Sequence, residues 1–320
     1  MKQFAYLLLL LILSCSSIVE TESEQEKILD TLPETGLKTY IFGHSLINHA
    51  IPTVPTVNNE TSVPHWMFLL SEEADVDYSV SGQYGFLPQH DDLPPTAQWG
   101  FDIVPGAWDS DVMEFSEADF NTVLLTAGNF IQYQPATTNY DGDANDTSPL
   151  LSTLTITDWV TEQEPGIKIY IYENWPDMAP FISSFPPTAQ EFSTYNSSVT
   201  EGFHDWWIDY HDEVLAARPN QNVRMIPVGP IISGLLEETV LCNIPFVDLY
   251  EDDAPHGRPT IYYLASMITY MAMYQERTPE GFITPDTVNS LINENYTEVV
   301  DYIWEALENF DDESGNSRVW

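Results

Sequence analysis

Two short segments, far apart in the chain, carry side chains that could act together as a hydrolase. Gly-His-Ser-Leu at residues 43–46 ends an apolar run and offers a hydroxyl nucleophile, while Asp-Ala-Pro-His at residues 253–256 offers an imidazole and a carboxylate. A serine hydroxyl is a poor nucleophile at neutral pH, so it needs an imidazole to take its proton and an acid to orient that imidazole. The pattern therefore predicts Ser45 as nucleophile, His256 as base and Asp253 as its partner.

Acyl transfer also needs hydrogen-bond donors that stabilise the negative oxygen of the tetrahedral intermediate. Gly82 lacks a side chain, so its N–H can approach a ligand closely, and Asn129 can donate its side-chain amide. Taken singly, a turn glycine and a turn or capping asparagine are the simpler structural interpretations. Both residues are candidates for an oxyanion hole.

Short apolar, β-branched segments alternate with amphipathic ones, which is typical of βαβ units and a parallel sheet. Strands are predicted over about residues 38–42, 77–80, 122–126, 167–172 and 223–228. Helices are predicted over about residues 63–73, 149–162, 199–217, 230–237, 259–275 and 285–308. In open parallel sheets the ligand site lies at the carboxyl ends of the strands. Ser45 follows the first strand, so we expect it at that edge.

Ser45, Gly82, Asn129 and His256, in this order, give the chain a pattern that resembles the SGNH (GDSL-like) hydrolase family. The resemblance extends over most of the chain, and its sharpest element is the Asp-X-X-His segment ahead of a helix. It implies an α/β fold, a flavodoxin-like three-layer α/β/α sandwich around a central five-stranded parallel sheet. It also implies that Ser45 is the nucleophile, His256 the base and Asp253 its partner, and that Gly82, Asn129 and the Ser45 N–H form the oxyanion hole.

The chain departs from the family pattern in three places. The usual Gly-Asp-Ser-Leu reads Gly-His-Ser-Leu here, so His44 replaces an acid that is peripheral to the proton relay. The third block usually reads Gly-X-Asn-Asp, whereas here glycine directly precedes Asn129 and Phe130 replaces the second acid. The long gap between Gly82 and Asn129 implies an insertion that carries Trp99.

Several residues are candidates for contact with substrate. Trp175 follows the fourth predicted strand and should lie near the same edge as Ser45, where aromatic faces commonly stack on sugar rings. A core position is the more frequent fate of a tryptophan. His44 and Tyr84 lie beside the nucleophile and the second-strand glycine, and are further candidates. The proline-rich connections 51–64 and 86–108 are long enough to form walls of a binding site.

Charge restricts the class of partner. The chain carries 50 acidic and nine basic residues, a formal charge of −41, with no lysine or arginine between Lys38 and Lys168. Such a surface suits a salty medium, where ions screen its self-repulsion. It lacks the basic residues that neutralise phosphates, which argues against nucleic acid as a partner. Neutral or esterified substrates fit better.

The first residues predict export. A short charged segment precedes an apolar run of residues 4–13 that is too short to span a bilayer, and Ile-Leu-Ser-Cys then ends at Cys15. This resembles a bacterial lipobox, so residues 1–15 are interpreted as a signal peptide and Cys15 as a lipidated cysteine. Residues 16–36 are expected to be an acidic tether, and residues 37–320 a single hydrolase-like domain. The protein would contact the envelope membrane only through the lipid; cleavage without lipidation is the alternative.

Two other patterns resemble metal sites, but each lacks a feature that a metal site needs. His44 and His49 lack the helical spacing that puts two ligands on one face. The acidic run 141–146 resembles the start of a calcium loop but lacks its central glycine and final glutamate. We therefore expect no metal and no cofactor at the serine site.

The sequence as a whole predicts an exported serine esterase that removes a short acyl group, expected to be acetyl, from a carbohydrate. A lipase or thioesterase acting on longer acyl esters through the same residues is one alternative. A catalytically inactive, glycan-binding surface lipoprotein on the same fold is the other.

Overall fold

The computed structural model describes residues 36–126, 134–143 and 145–320. The predicted signal peptide with Cys15, nearly all of the predicted tether, and Asn129 lie outside these ranges. The predictions made for them therefore stay predictions.

Five parallel strands form one central sheet. They are β1 (Leu37–Gly43), β2 (Tyr78–Tyr84), β3 (Thr122–Thr126), β4 (Lys168–Tyr172) and β5 (Val223–Ile226). Their order across the sheet is β2-β1-β3-β4-β5, and every neighbouring pair is parallel. The inner strands are buried along nearly their whole length, as expected for a sheet that is covered on both faces. This is the flavodoxin-like strand order, and it confirms the predicted α/β fold class.

Helices surround the sheet. In chain order they are α1 (Val63–Glu73), α2 (Leu87–His90), α3 (Pro149–Gln163), α4 (Ala189–Thr200), α5 (Gly202–Ala217), α6 (Val228–Glu238), α7 (Pro259–Tyr274), α8 (Leu291–Glu294) and α9 (Tyr296–Glu308). Helix α1 packs against α7, and α3 packs against α5. Ser148 caps α3 by accepting the Leu151 N–H at 3.2 Å, just before the proline that opens the helix.

The predicted elements differ from the observed ones in several places. The predicted helix 199–217 corresponds to α5, whereas no prediction covers α4, which ends at Thr200 because Glu201 leaves the helical conformation. The predicted helix 285–308 is two helices, α8 and α9. Strand β2 runs four residues beyond its predicted end, since its outer edge pairs with segments around Trp99 and Gly106.

Helix α7 is the most deeply buried helix near the carboxyl edge of the sheet. Every residue from Thr260 to Tyr274 is buried. A helix that is covered all round lies inside the molecule rather than on its surface. Its first turn follows directly on the segment that carries His256. Within the described ranges, no helix has both the length and the apolar character needed to cross a membrane.

Candidate active site

Strand β1 delivers Ser45 to the carboxyl edge of the sheet. The strand ends at Gly43, and the chain then turns sharply, with the His44 carbonyl accepting the N–H groups of Ile47 and Asn48 at 3.0 and 3.2 Å. Strands β2 and β3 lie on either side of β1, so Ser45 sits where the chain connections diverge. In this class of sheet that position is the usual ligand site.

A hydrogen-bonded chain joins Ser45, His256 and Asp252. The Ser45 hydroxyl lies 2.9 Å from His256 Nε2, and His256 Nδ1 lies 2.6 Å from Asp252 Oδ2. With an ionised carboxylate on Nδ1, that nitrogen carries the ring proton and Nε2 is free to accept. The geometry is that of a nucleophile, a base and an orienting acid.

The carboxylate that contacts His256 belongs to Asp252, whereas the sequence predicted Asp253 as the partner. Asp252 Oδ1 accepts the N–H groups of Ala254 and His256 at 3.1 and 2.9 Å, which folds the segment into a turn that aims Oδ2 at the imidazole. Burial alone would raise the pKa of Asp252, but the hydrogen bonds from His256 outweigh it and lower the pKa. Asp253 is exposed, and its carbonyl accepts the Met178 N–H at 3.0 Å.

Two aromatic residues hold the backbone on either side of the relay. Tyr262, on α7, donates its hydroxyl to the Ser45 carbonyl at 2.6 Å. Trp175 donates its indole N–H to the carbonyl of Pro255, next to His256, at 2.9 Å. Trp175 is only 1 % exposed, so its predicted stacking on substrate is wrong. Its structural role is to fix the histidine segment, and nothing in the local sequence identified Tyr262.

Ser45 and His256 open into a cavity of about 530 Å³. Its other lining residues are His44, Leu46, Asn48, His49, Ala50, Ile51, Tyr84, Phe86, Trp99, Asp177 and Ala254. Both proline-rich connections contribute to the lining of this cavity, through Ile51, Phe86 and Trp99. Tyr84 is half-exposed and packs edge-on against Trp99, whereas His44 is buried. Two of the three predicted substrate contacts, Tyr84 and His44, thus line the cavity.

Gly82 does not line this cavity, contrary to its predicted place in the oxyanion hole. Because β2 is longer than predicted, Gly82 lies inside the strand opposite Ile41, and its carbonyl accepts the Trp99 N–H at 3.0 Å. A Cβ here would lie 2.6 Å from the Ile41 carbonyl oxygen, so close packing of two strands explains the glycine. Among the described residues, the Ser45 N–H has no acceptor, which leaves it available to an oxyanion.

A second histidine, His49, lies against the first. Its ring is stacked on that of His256, with centroids 4.1 Å apart and planes 13° apart. His49 Nε2 lies 2.7 Å from Glu251 Oε1. From the sequence, His49 is interpreted only as a candidate metal ligand. No cluster of three or more potential ligands occurs in the part of the chain that the structure describes. The consecutive acids Glu251 and Asp252 were the available sequence signal for this arrangement, in which each acid contacts one of the two stacked histidines.

The fold and the site define a class of protein: a flavodoxin-like α/β domain with a serine, histidine and aspartate in hydrogen-bonded sequence at the carboxyl edge of its sheet. Comparisons with known protein families, with curated proteins and with solved structures find no match to this chain. Function must therefore be argued from the chemistry of the site.

Proposed function

We propose that this chain is a serine hydrolase of carboxylic esters, of the SGNH type. The observation that carries the proposal is the continuous relay from the Ser45 hydroxyl through His256 to Asp252, at 2.9 and 2.6 Å. Both distances are within direct hydrogen-bond reach, so no rearrangement is needed before proton transfer. The relay opens into a cavity large enough for an ester and part of its alcohol.

The reaction proceeds in two acyl-transfer steps. The Ser45 proton moves to His256 Nε2 as Oγ bonds to the ester carbon, and the carbonyl electron pair moves onto its oxygen. The intermediate collapses, the alcohol leaves with the proton from His256, and an acyl-serine remains. Water then attacks the acyl-serine with His256 again as base, which releases the acid and restores Ser45.

The developing oxyanion needs donors, and the Ser45 N–H is one of them. Asn129 remains the proposed second donor. Gly82 is left out of this role because it lies within β2. The proposed oxyanion hole thus differs from the family pattern at its glycine.

For substrate, we propose a short acyl ester of a carbohydrate, with acetyl as the expected acyl group. Tyr84 and Trp99 present aromatic surface beside Ser45, which suits the flat apolar face of a sugar ring. The acidic surface disfavours polyanions and accepts a neutral, esterified glycan. Export and lipid attachment through Cys15 belong to the same proposal.

A second candidate substrate is a longer acyl ester, and the apolar side chains of Leu46, Ile51 and Phe86 in the cavity favour it. Nitrophenyl esters from two to twelve carbons separate the two candidates. A carbohydrate deacetylase loses kcat/KM steeply beyond short chains, whereas a lipase or thioesterase retains or gains it.

The direct test of the proposed function is Ser45→Ala. This variant should fold normally and lose hydrolysis of nitrophenyl acetate to background, and a fluorophosphonate probe should label the native protein but not the variant. Near-native hydrolysis by Ser45→Ala would disprove the mechanism. A native protein that neither hydrolyses esters nor reacts with the probe would favour a glycan-binding protein on an inactive hydrolase fold.

A further inference from the structure

Two neighbouring carboxylates hold two stacked imidazoles in this site. Asp252 binds His256, and Glu251, the residue before it, binds His49 at 2.7 Å. The two rings overlap with their centroids 4.1 Å apart. The base thus has a flat aromatic neighbour on one face and a carboxylate at its edge.

Glu251 is itself rigidly held. Both of its oxygens accept the Thr53 N–H, at 3.1 and 3.0 Å, and Oε2 also accepts the Thr53 hydroxyl at 2.7 Å. Burial would raise the pKa of Glu251, but the hydrogen bonds from Thr53 and His49 outweigh it and lower the pKa. Glu251 is therefore ionised, and His49 Nε2 carries the proton that points at it.

His49 has little freedom of its own. Its backbone N–H donates to the Thr61 carbonyl at 2.8 Å, and its backbone carbonyl accepts the Thr61 hydroxyl at 2.7 Å. Burial, and then the charge of His256, lower the pKa of His49 against the opposing pull of Glu251. His49 is thus a fixed, neutral ring beside His256.

We infer that His49, oriented by Glu251, is a positioning residue for the base His256, an inference that rests on the proposed function. The stacked ring holds the plane of the imidazole so that Nε2 stays directed at Ser45. When His256 takes the serine proton, the resulting imidazolium lies against a neutral aromatic face instead of water. The negative charge of Glu251, which bonds to His49 Nε2 at 2.7 Å, stabilises the same cation.

The first test compares two substitutions of the stacked ring, with nitrophenyl acetate as substrate. His49→Ala removes the face and should lower kcat roughly three- to tenfold with KM nearly unchanged, the size expected for an aromatic pair. His49→Phe restores a flat ring and should recover most of kcat. Equal losses in both variants would overturn the positioning role of the ring.

The second test is the pH profile of Glu251→Gln. The acidic and histidine groups around the stacked rings are Glu251, Asp252, Asp177 and His44. The other titratable groups nearby are Tyr84, which lines the same cavity, Tyr262, which interacts with both acids, and Arg258, which lines a neighbouring cavity with Glu251. Glu251→Gln removes one negative charge while keeping an oxygen for the Thr53 donors. The acid limb of kcat/KM should move to lower pH, a change that a merely structural role would not produce. An unmoved limb would overturn the electrostatic part of the inference.

His204 offers a matched control. It forms a histidine–glutamate pair of similar length with Glu173, at 2.8 Å, but it does not line the cavity. His204→Ala should lower the melting temperature and leave kcat and the acid limb of the pH profile unchanged.

Fluorophosphonate labelling of Ser45 distinguishes failure of the proposed function from failure of the inference about His49. A His49→Ala variant that is labelled and has native kcat overturns the role of His49, whereas a native protein that is not labelled overturns the proposed hydrolase function. If His49→Ala fails to fold, kcat of His49→Phe and the pH profile of Glu251→Gln test the inference in its place.

Discussion

Replacing Asp252 with asparagine should invert the tautomer of His256 while the surrounding turn stays in place. The Oδ1 position accepts two backbone N–H groups, those of Ala254 and His256 at 3.1 and 2.9 Å, so the amide oxygen must occupy it. The amide NH₂ then faces His256 Nδ1, which can only accept. The ring proton moves to Nε2, opposite the Ser45 hydroxyl, and the base can no longer take the serine proton.

The size of the effect follows from two losses. The 2.6 Å contact between Asp252 and His256 is a charge-assisted hydrogen bond, worth roughly 1.5–3 kcal/mol, or about ten- to 150-fold in rate. The wrong tautomer adds to it, and the same substitution in a well-studied serine protease lowers kcat by about 10⁴. We expect Asp252→Asn to lower kcat by between about 10² and 10⁴.

Asp253→Asn is the matched control, because its side chain is exposed and makes no hydrogen bond to His256. It should change kcat by less than about twofold. Both variants are measured with nitrophenyl acetate at one pH, and circular dichroism checks that each is folded. A severe loss in Asp253→Asn together with a mild one in Asp252→Asn would refute the assignment.

Two further predictions concern groups that support the site and the fold. Tyr262→Phe removes the 2.6 Å hydrogen bond to the Ser45 carbonyl and should lower kcat roughly tenfold and stability by about 1 kcal/mol; an unchanged kcat would show that the bond does not position Ser45. Burial raises the pKa of Glu173 to about 7, although the nearby His204 lowers it. The folded state therefore binds this proton more tightly than the unfolded state does. The resulting stabilisation of the fold is complete below the ordinary glutamate pKa and is lost as pH rises through about 7. Glu173→Gln should therefore weaken the fall in melting temperature between pH 5 and 8, and an unaltered fall would contradict the assignment.

Local signals predicted the elements that carry the site. The run Thr122–Thr126 is short, apolar and β-branched, and it forms a strand with those bounds. The helix Val63–Glu73 also has its predicted bounds, with a proline in its first turn. Strand β2 was predicted too short because Ser-Gly-Gln is typical of a turn, whereas pairing on both edges keeps these residues extended. Such pairing is tertiary and leaves no local trace.

The site was predicted only in part, because some of its contacts also depend on tertiary structure. Ser45 and His256 are identified by residue type and by the elements that precede and follow them, and the structure brings them together. Which of two consecutive aspartates faces the imidazole depends on the turn that Asp252 makes with its own backbone, one residue away from the family pattern. The stacking of His49 depends on a contact across about two hundred residues, which periodicity cannot reveal.

Helix α7 gives the site an unusual kind of durability. Its interior position means that its amide hydrogens should exchange only when the whole domain opens. Tyr262 ties Ser45 to this helix, and His256 lies three residues before it. Ser45 and His256 therefore belong to one cooperative unit, and we expect heat inactivation to coincide with global unfolding instead of preceding it through local unfolding of a loop.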